Sequence, residues 1–402
     1  MTLPELLAFC ADRDLGTKRQ RECVSATIKH GTQVDAAKAM GINTRTLQRS
    51  IQKLKMYAAS VGFAPDHDLT SPTAEGFVLD KASLLYDGDG EVKLKWLKIK
   101  AERADLLERL REYAELLRED VKGLAKRKKA PKIDTKTEMT VYPQPDLHIG
   151  MYACAEECGE AYNRKQAQSD AISAAEALIS GGPATETALI VNLGDFFHND
   201  DSSNRTPGHK HPLDVDGRYH EVLQTGVSLQ RAVIDMALEK HKRVYIYNIL
   251  GNHDPHTGYA LSLILEGYYH KEPRVVIDTG PQQFKRHRFG KTLIAMAHGH
   301  TAKPEALNGV MLREWPQDCG ETAYRYWLTG HRHHREVKHL QNSTVEIFST
   351  IIPRDAYHAN AGYGADRDMV RITYHKEYGE WGRQRAPIEY IRKLGEKKCG
   401  TN

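Results

Sequence analysis

Val244-Tyr245-Ile246-Tyr247-Asn248-Ile249-Leu250-Gly251-Asn252-His253-Asp254 is the stretch from which the fold is read. Its first seven residues form a short, mostly apolar run of the kind that makes a buried strand, and Gly251 ends the run where polar chemistry begins. The pattern recurs four times. Met139 to Tyr142 precedes Asp146-Leu147-His148, Ala188 to Leu193 precedes Gly194-Asp195, Thr292 to Ala297 precedes His298, and Tyr326 to Thr329 precedes Gly330-His331-Arg332-His333. Functional groups at the ends of successive strands of an α/β sheet converge on one edge, where open sheets place their ligand crevices.

The residue types at those ends suit one chemistry. A phosphodiester repels anionic nucleophiles and has a poor leaving group, so a pair of divalent ions about 3.5–4 Å apart serves it by binding phosphate, acidifying water and stabilising the departing oxygen. Mixed oxygen and imidazole ligands suit manganese, iron or zinc better than magnesium or calcium. Singly, an Asp-x-His or a Gly-Asp commonly marks a turn or a helix start, and a Gly-His-x-His a surface loop. Five such clusters, in order and at strand ends, read instead as one site.

From about Val141 to His333 the series D-x-H, G-D, G-N-H-D, H and G-H-x-H resembles the calcineurin-like metallophosphoesterase superfamily. The resemblance implies an α/β fold, a four-layer αββα sandwich. It also implies two divalent metal ions, manganese foremost, with iron or zinc as alternatives. On this likeness Asp146, His148 and His333 hold one ion, Asn252, His298 and His331 hold the other, and Asp195 bridges both. Water or hydroxide between the ions would attack the phosphorus in line. His253 would contact the phosphate or protonate the leaving oxygen, oriented by Asp254, and imidazole is the natural proton donor near neutrality. Asp146-Leu147-His148-Ile149-Gly150 and Gly194-Asp195-Phe196-Phe197-His198 are similar to the opening motifs of double-strand-break-repair nucleases that work with a coiled-coil ATPase. There His198 matches a histidine that positions phosphate. Pro145 departs from the small hydroxyl residue common before the first aspartate and stiffens the approach. His209, His211, His256, His300, His334 and His358 fall outside the motif positions.

The N-terminal region carries a second signal. Thr32 to Met40, Gly41-Ile42-Asn43 and Thr44 to Leu54 read as helix, tight turn, helix, with Thr32 and Asp35 at capping-box spacing and Asn43 as a cap. Ala36 and Ala37 permit close approach, and Val34, Met40, Ile42, Leu47, Ile51 and Leu54 form an apolar stripe. This resembles a helix-turn-helix, whose second helix enters the major groove of DNA. Thr44, Arg45, Gln48, Arg49 and Lys53 are the expected DNA contacts, although Ser50 stands where an apolar residue is usual.

Between these parts, Phe77 to Leu85 and Val92 to Leu97 read as two strands around the glycine-rich turn Tyr86-Asp87-Gly88-Asp89-Gly90. Lys98 to Leu124 reads as one long charged helix, a lever or a self-association surface. Lys126-Arg127-Lys128-Lys129, before Ala130-Pro131-Lys132, reads as a solvated linker with attraction for polyanions. The expected domains are therefore 1–62, a helix-turn-helix module; 63–135, the hairpin, helix and linker; and 136–402, the catalytic domain. The loop from Asn199 to Arg218 follows the second motif and is expected at the substrate entrance.

Composition bounds what remains. The 402 residues carry a formal net charge of +4, too mild for a bulk DNA-coating protein. The cysteines Cys10, Cys23, Cys154, Cys158, Cys319 and Cys399 show no disulfide framework, and Cys154 and Cys158 read as structural or surface thiols. No cleavable apolar leader and no apolar run of bilayer length appear, so the expected location is the cytoplasm of a bacterium or a phage-infected host. The combined expectation is a two-metal nuclease acting on DNA, of the kind a phage or prophage replication or repair system carries. A phosphatase or small-nucleotide phosphodiesterase with a regulatory DNA-binding module is the alternative. An ATPase partner or self-association is compatible with either.

Overall fold

The computed structural model describes residues 2–70, 72–73, 77–87, 89, 92–101, 118–119, 121–354, 364 and 366–399. The chain divides into two compact units, Met1–Arg109 and Leu110–Asn402.

The first unit begins with four helices, α1 (Leu3–Asp12), α2 (Lys18–His30), α3 (Gln33–Ala39) and α4 (Thr44–Ser60). Local chemistry sets the ends of the last two. Thr32 Oγ1 accepts the Asp35 N–H at 3.1 Å and Asn43 Oδ1 accepts the Arg45 N–H at 2.8 Å, so each helix starts on a side-chain cap. Leu47, Ile51 and Leu54 of α4 pack against Ala36 and Ala37 of α3 and Cys23 and Val24 of α2. Val34 departs from the expected stripe and is 63 % exposed. It lies two residues, about 200° of helix rotation, from the buried Ala36, so only one of the two can face the core. Short strands β1 (Phe63–Ala64) and β2 (Leu69–Thr70) follow, then the antiparallel hairpin of β3 (Phe77–Tyr86) and β4 (Val92–Ala101). The expected long helix is corrected at its start: Lys98–Ala101 extend β4, paired with Phe77–Lys81. Its stretch 102–117 lies outside the described residues, while Arg118, Glu119 and Val121 are helical.

The second unit is built on strands β5 (Thr135–Gln144), β6 (Thr185–Asn192), β7 (Arg243–Asn248), β8 (Val275–Asp278), β9 (Lys285–Phe289), β10 (Thr292–Ala297), β11 (Tyr324–Thr329), β12 (Glu336–His339), β13 (Thr344–Ile347), β14 (Asp368–His375) and β15 (Gly379–Pro387). One sheet runs β15-β14-β5-β6-β7-β8 and the other β12-β13-β11-β10-β9. β5 through β8 are mutually parallel, as are β10, β11 and β13. Alternation of side chains assigns the layers. From β6, Ala188 and Ile190 pack against α5 (Arg164–Ser180), α6 (Tyr219–Lys240) and α7 (Thr257–Tyr269), whereas Leu189 and Val191 meet Ile294 and Met296 of β10 and Leu328 of β11. On the outer face of the second sheet, Leu293, Ala295 and Trp327 pack on Leu307, Met311 and Trp315 of the α8 (Pro304–Glu314) region. Helix, sheet, sheet, helix is thus the order of layers, an αββα sandwich. Each fully buried Leu or Ile contributes about 1.5–3 kcal/mol. Because the central strands are covered on both faces, their sequences read as continuous apolar runs.

Lys126 to Lys129, expected as a solvated linker, keeps Lys126, Arg127 and Lys129 exposed but is held in place through its neighbours and Lys128. Ala125 N–H bonds the Tyr268 carbonyl, Arg127 Nε the Lys271 carbonyl, and Lys128 Nζ lies 3.0 Å from Glu239. Carbonyls at the C-terminal end of α7 and acidic residues beside it draw in the cations. Among the described residues, no helix is long and apolar enough to cross a membrane.

One buried histidine links this core to pH. His241 is fully buried, with Nε2 2.8 Å from Tyr142 Oη and Nδ1 2.8 Å from Thr185 Oγ1. Burial pushes its pKa down to about 4. In the unfolded chain the same imidazole titrates near 6.5, so between these values the unfolded state holds a proton that the folded state refuses. Stability therefore falls as pH drops through that window, by about 3 kcal/mol for this group alone. Urea unfolding at pH 7 and near pH 4.5 checks this: His241→Gln should show a smaller acid loss than wild type, and equal losses would remove His241 as the cause.

Candidate metal centre

The five motifs meet where the parallel strands end. Gln144, Asn192 and Asn248 are the last residues of β5, β6 and β7 and stand in register, each buried. Asn192 Nδ2 donates to Asn248 Oδ1 at 3.3 Å, and Asn192 Oδ1 accepts the Gly194 N–H at 3.0 Å. This amide row fixes the loops that follow. Sequence reasoning misses it, although one amide closing each of three apolar runs was the available signal.

Beyond the strand ends the backbone turns sharply. Asp146, His148, Asp195, His331 and His333 have φ of +46°, +41°, +49°, +72° and +56°. Such left-handed geometry at non-glycine residues costs about 1–3 kcal/mol each and persists only where surroundings enforce it. Glycines supply the room. A Cβ on Gly251 would sit 2.0 Å from Asp195 Oδ1, and one on Gly330 would sit 2.4 Å from Asp146 Oδ2. The glycines of two motifs are therefore spaces for the carboxylates of two others.

Two ligand groups result. Asp146, His148 and His333 form one, and Asp195, His298 and His331 the other, with donor atoms in each within 4.8 Å of one another. Asn252 Oδ1 lies 3.1 Å from His298 Nε2, as does Asp195 Oδ2. A third group, His148, His198 and His253, contains no carboxylate. All seven residues read from sequence as metal ligands are brought together at this edge. No cysteine of the described residues belongs to any of the three groups.

Electrostatics tests whether these residues suit cations. Asp146 is 0 % and Asp195 2 % exposed, and among the described residues their ion pairs are all with histidines. Burial alone would raise the Asp195 carboxyl, but the facing His298 and His253 hold it well below the usual carboxylate range. Burial alone would lower His298, and Asp195 followed by Asp146 lifts it instead to about 9. The two buried carboxylates thus favour positive charge at this edge. Imidazole nitrogens are also aimed at one another, His148 Nε2 lying 3.2 Å from His333 Nε2. Imidazole nitrogens gathered beside buried carboxylates suit a cation, and the donor set fits one. Orientation is set from behind: His298 Nδ1 donates to the Leu193 carbonyl at 2.9 Å, which leaves Nε2 as the donor atom facing inward.

The remaining catalytic candidates are placed as follows. His253 Nδ1 donates to the His198 carbonyl at 2.8 Å, and its backbone N–H binds Asp195 Oδ1 at 2.8 Å. The orienting contact expected from Asp254 is corrected accordingly. Asp254, wholly buried, accepts the backbone N–H groups of Asp195 at 3.1 Å, Gly251 at 3.2 Å and Phe197 at 3.0 Å. Burial and then the Asp195 charge push its pKa up to about 8. His198 is buried, with Nδ1 3.1 Å from His148 Nδ1, so it lies behind His148. Asp200, which sequence reasoning left in the entrance loop, is also buried. It accepts the Thr257 N–H at 2.7 Å and pairs with His256, tying that loop to the start of α7. Within the loop, Arg205 Nη1 donates to the Lys210 carbonyl.

In the first unit, Arg45, Gln48, Arg49, Gln52 and Lys53 line one exposed groove on α4, whereas Thr44 is half-buried at the helix start.

No protein-family model matches the chain and no curated protein matches it. Among solved structures it is similar to a conserved uncharacterized protein, a predicted phosphoesterase, from Streptococcus pneumoniae TIGR4, at 13 % identity over 63 % of this chain and 99 % of that one, TM-score 0.25. It is similar to Vps29 of Entamoeba histolytica complexed with zinc, at 12 % identity over 62 % of this chain and 99 % of that one, TM-score 0.24. It is similar also to the phosphopantetheinyl hydrolase PptH of Mycobacterium tuberculosis, at 12 % identity over 54 % of this chain and 91 % of that one, TM-score 0.24. TM-scores this low, at 12–13 % identity, assign neither substrate nor activity.

Proposed function

We infer that the second unit hydrolyses phosphodiesters with two bound divalent cations, manganese foremost, and that the first unit holds DNA through α4. One observation carries the hydrolytic reading: two groups of buried carboxylate and imidazole, Asp146/His148/His333 and Asp195/His298/His331, stand together at the carboxyl edge of the parallel strands. Asn252 would join the second group, and Asp195 would face both. When bound, two such cations neutralise the phosphate and acidify a water.

The chain's own side chains supply the rest. Leu193 and Asn192 hold the His298 ring and the Gly194 turn in place before any ligand arrives, so little reorganisation accompanies binding. The Nδ1–H bond from His253 to the His198 carbonyl fixes the ring and leaves Nε2 as the atom that can pass a proton to a leaving oxygen. Asp195 Oδ1 holds the backbone of His253, so the carboxylate that would face both ions and the proton donor are positioned by one bond.

For the DNA half, the support is the exposed Arg45, Gln48, Arg49 and Lys53 on the helix after a tight turn, with chemistry for phosphate and base-edge contacts. The test is manganese-dependent hydrolysis of end-labelled single- and double-stranded DNA beside a small chromogenic phosphodiester, in wild type and in Arg45→Ala/Arg49→Ala. DNA cleavage should fall in the variant while small-ester turnover stays level, and the salt slope of duplex affinity should drop by about 2. Rapid small-ester turnover with intact DNA in both proteins would move the chain to the small-molecule phosphodiesterases.

A further inference from the structure

The β3–β4 hairpin of the first unit has one face that its own fold does not explain. Register places Lys81 opposite Lys98, Ser83 opposite Trp96 and Leu85 opposite Leu94, so these six side chains share a face. Trp96 is 57 %, Leu85 48 % and Leu94 46 % exposed, and both lysines are exposed. The other face is engaged: Lys95 Nζ donates to the Asp68 carbonyl and Tyr86 Oη to the Asp68 carboxylate at 2.8 Å.

Two features of the open face point to an anionic partner. Like charges directly across a strand pair are destabilising, yet Lys81 and Lys98 are held opposite each other, and among the described residues Lys98 has one acidic neighbour, Asp80, at 3.9 Å. The sequence of β4 also carries no acidic residue, so nothing on that strand offsets the charge of Lys98. A second copy of the chain fits poorly, because lysine-lined edges repel edge-to-edge pairing. An exposed indole beside a pair of cations suits a partner that presents phosphate and a stackable ring together.

We propose that this ribbon is a second nucleic-acid-binding element, in which Lys81 and Lys98 contact backbone phosphates and Trp96 stacks on an unpaired base. The inference rests on the nucleic-acid reading of the first unit, and it adds a preference for single-stranded or frayed DNA that α4 alone does not supply.

The experiment measures affinity of the full-length chain for fluorescently labelled single-stranded and duplex DNA across a salt series. The proteins are wild type, Trp96→Ala, Lys81→Ala/Lys98→Ala and Arg45→Ala/Arg49→Ala, each with its unfolding midpoint and small-ester turnover recorded. Trp96→Ala should weaken single-strand binding by about 5- to 100-fold and duplex binding far less. The double lysine variant should lower the single-strand salt slope by about 1.4. Neither should alter the unfolding midpoint or small-ester turnover.

Wild-type affinity and slope in both ribbon variants would overturn the proposal, and if Arg45→Ala/Arg49→Ala then loses binding, the α4 reading survives alone. Loss in the ribbon variants with none in the α4 variant supports the ribbon and removes α4. A wild-type dimer that Trp96→Ala converts to monomer, without change in DNA affinity, would make this face a self-association surface instead. No DNA binding by any protein would end both readings.

Discussion

His253→Ala is expected to bind manganese as wild type does and to cleave DNA about 100- to 10,000-fold more slowly, the usual contribution of a positioned general acid or base. The geometry supports this separation because both carboxylate-bearing ligand groups omit His253. His253→Asn adds a finer control, since an amide can keep the bond to the His198 carbonyl while lacking any atom at the Nε2 position. If the ring's purpose is proton donation, Asn should be as slow as Ala. If its purpose is only to brace the His198 loop, Asn should recover most of the rate. Leaving-group dependence gives a third readout: a nitrophenolate departs without help, so the small chromogenic ester should lose much less than DNA does. Manganese affinity by calorimetry decides the remaining possibility. Metal and turnover lost together would make His253 a ligand.

The strand-end motifs were legible because each is a local event: an apolar run and then a candidate ligand, with a glycine between them in three of the five. Their convergence follows from parallel connection of β5, β6 and β7, which brings all three carboxyl ends to one edge. What was not legible depends on partners far along the chain. Asp254 follows His253 in sequence, which suggests that one serves the other, but its acceptors face Asp195 and Phe197, 59 and 57 residues away. The docking of Lys128 depends on Glu239, 111 residues on, so a basic run beside a proline reads as solvent-facing until that carboxylate is known to be there. Periodicity misplaced Val34 and Lys98 for a related reason. An apolar residue on a short helix, or a charged one after a strand, takes its place from packing or pairing that propensity does not encode.

Asp254→Ala should fail differently from His253→Ala, and the contrast separates holding the site from using it. Removing the carboxylate leaves the N–H groups of Asp195, Gly251 and Phe197 without their acceptor, in a place that no solvent reaches. Each buried donor left unpaired costs about 1–3 kcal/mol, so a loss of roughly 3 kcal/mol or more in stability is expected. An opposing effect must be weighed. Burial and the Asp195 charge make an ionised Asp254 unfavourable when no cation is bound, pushing its pKa up to about 8, and deleting it relieves that cost. The donors should still dominate once cations are present, because added positive charge offsets the repulsion while nothing replaces the acceptor. Stability of Asp254→Ala relative to wild type should therefore be worse with manganese than without it. Since Asp195 hangs from the same backbone, metal affinity should fall about 10- to 100-fold, the usual effect of losing a partner that orients a ligand. Asp254→Asn keeps an oxygen for Asp195 and Gly251 but turns an amide toward the Phe197 N–H, and should lie between Ala and wild type. Unfolding curves and manganese titrations on the same three proteins decide the matter: wild-type metal affinity in Asp254→Ala, with turnover alone reduced, would mean that Asp254 acts through His253 after all.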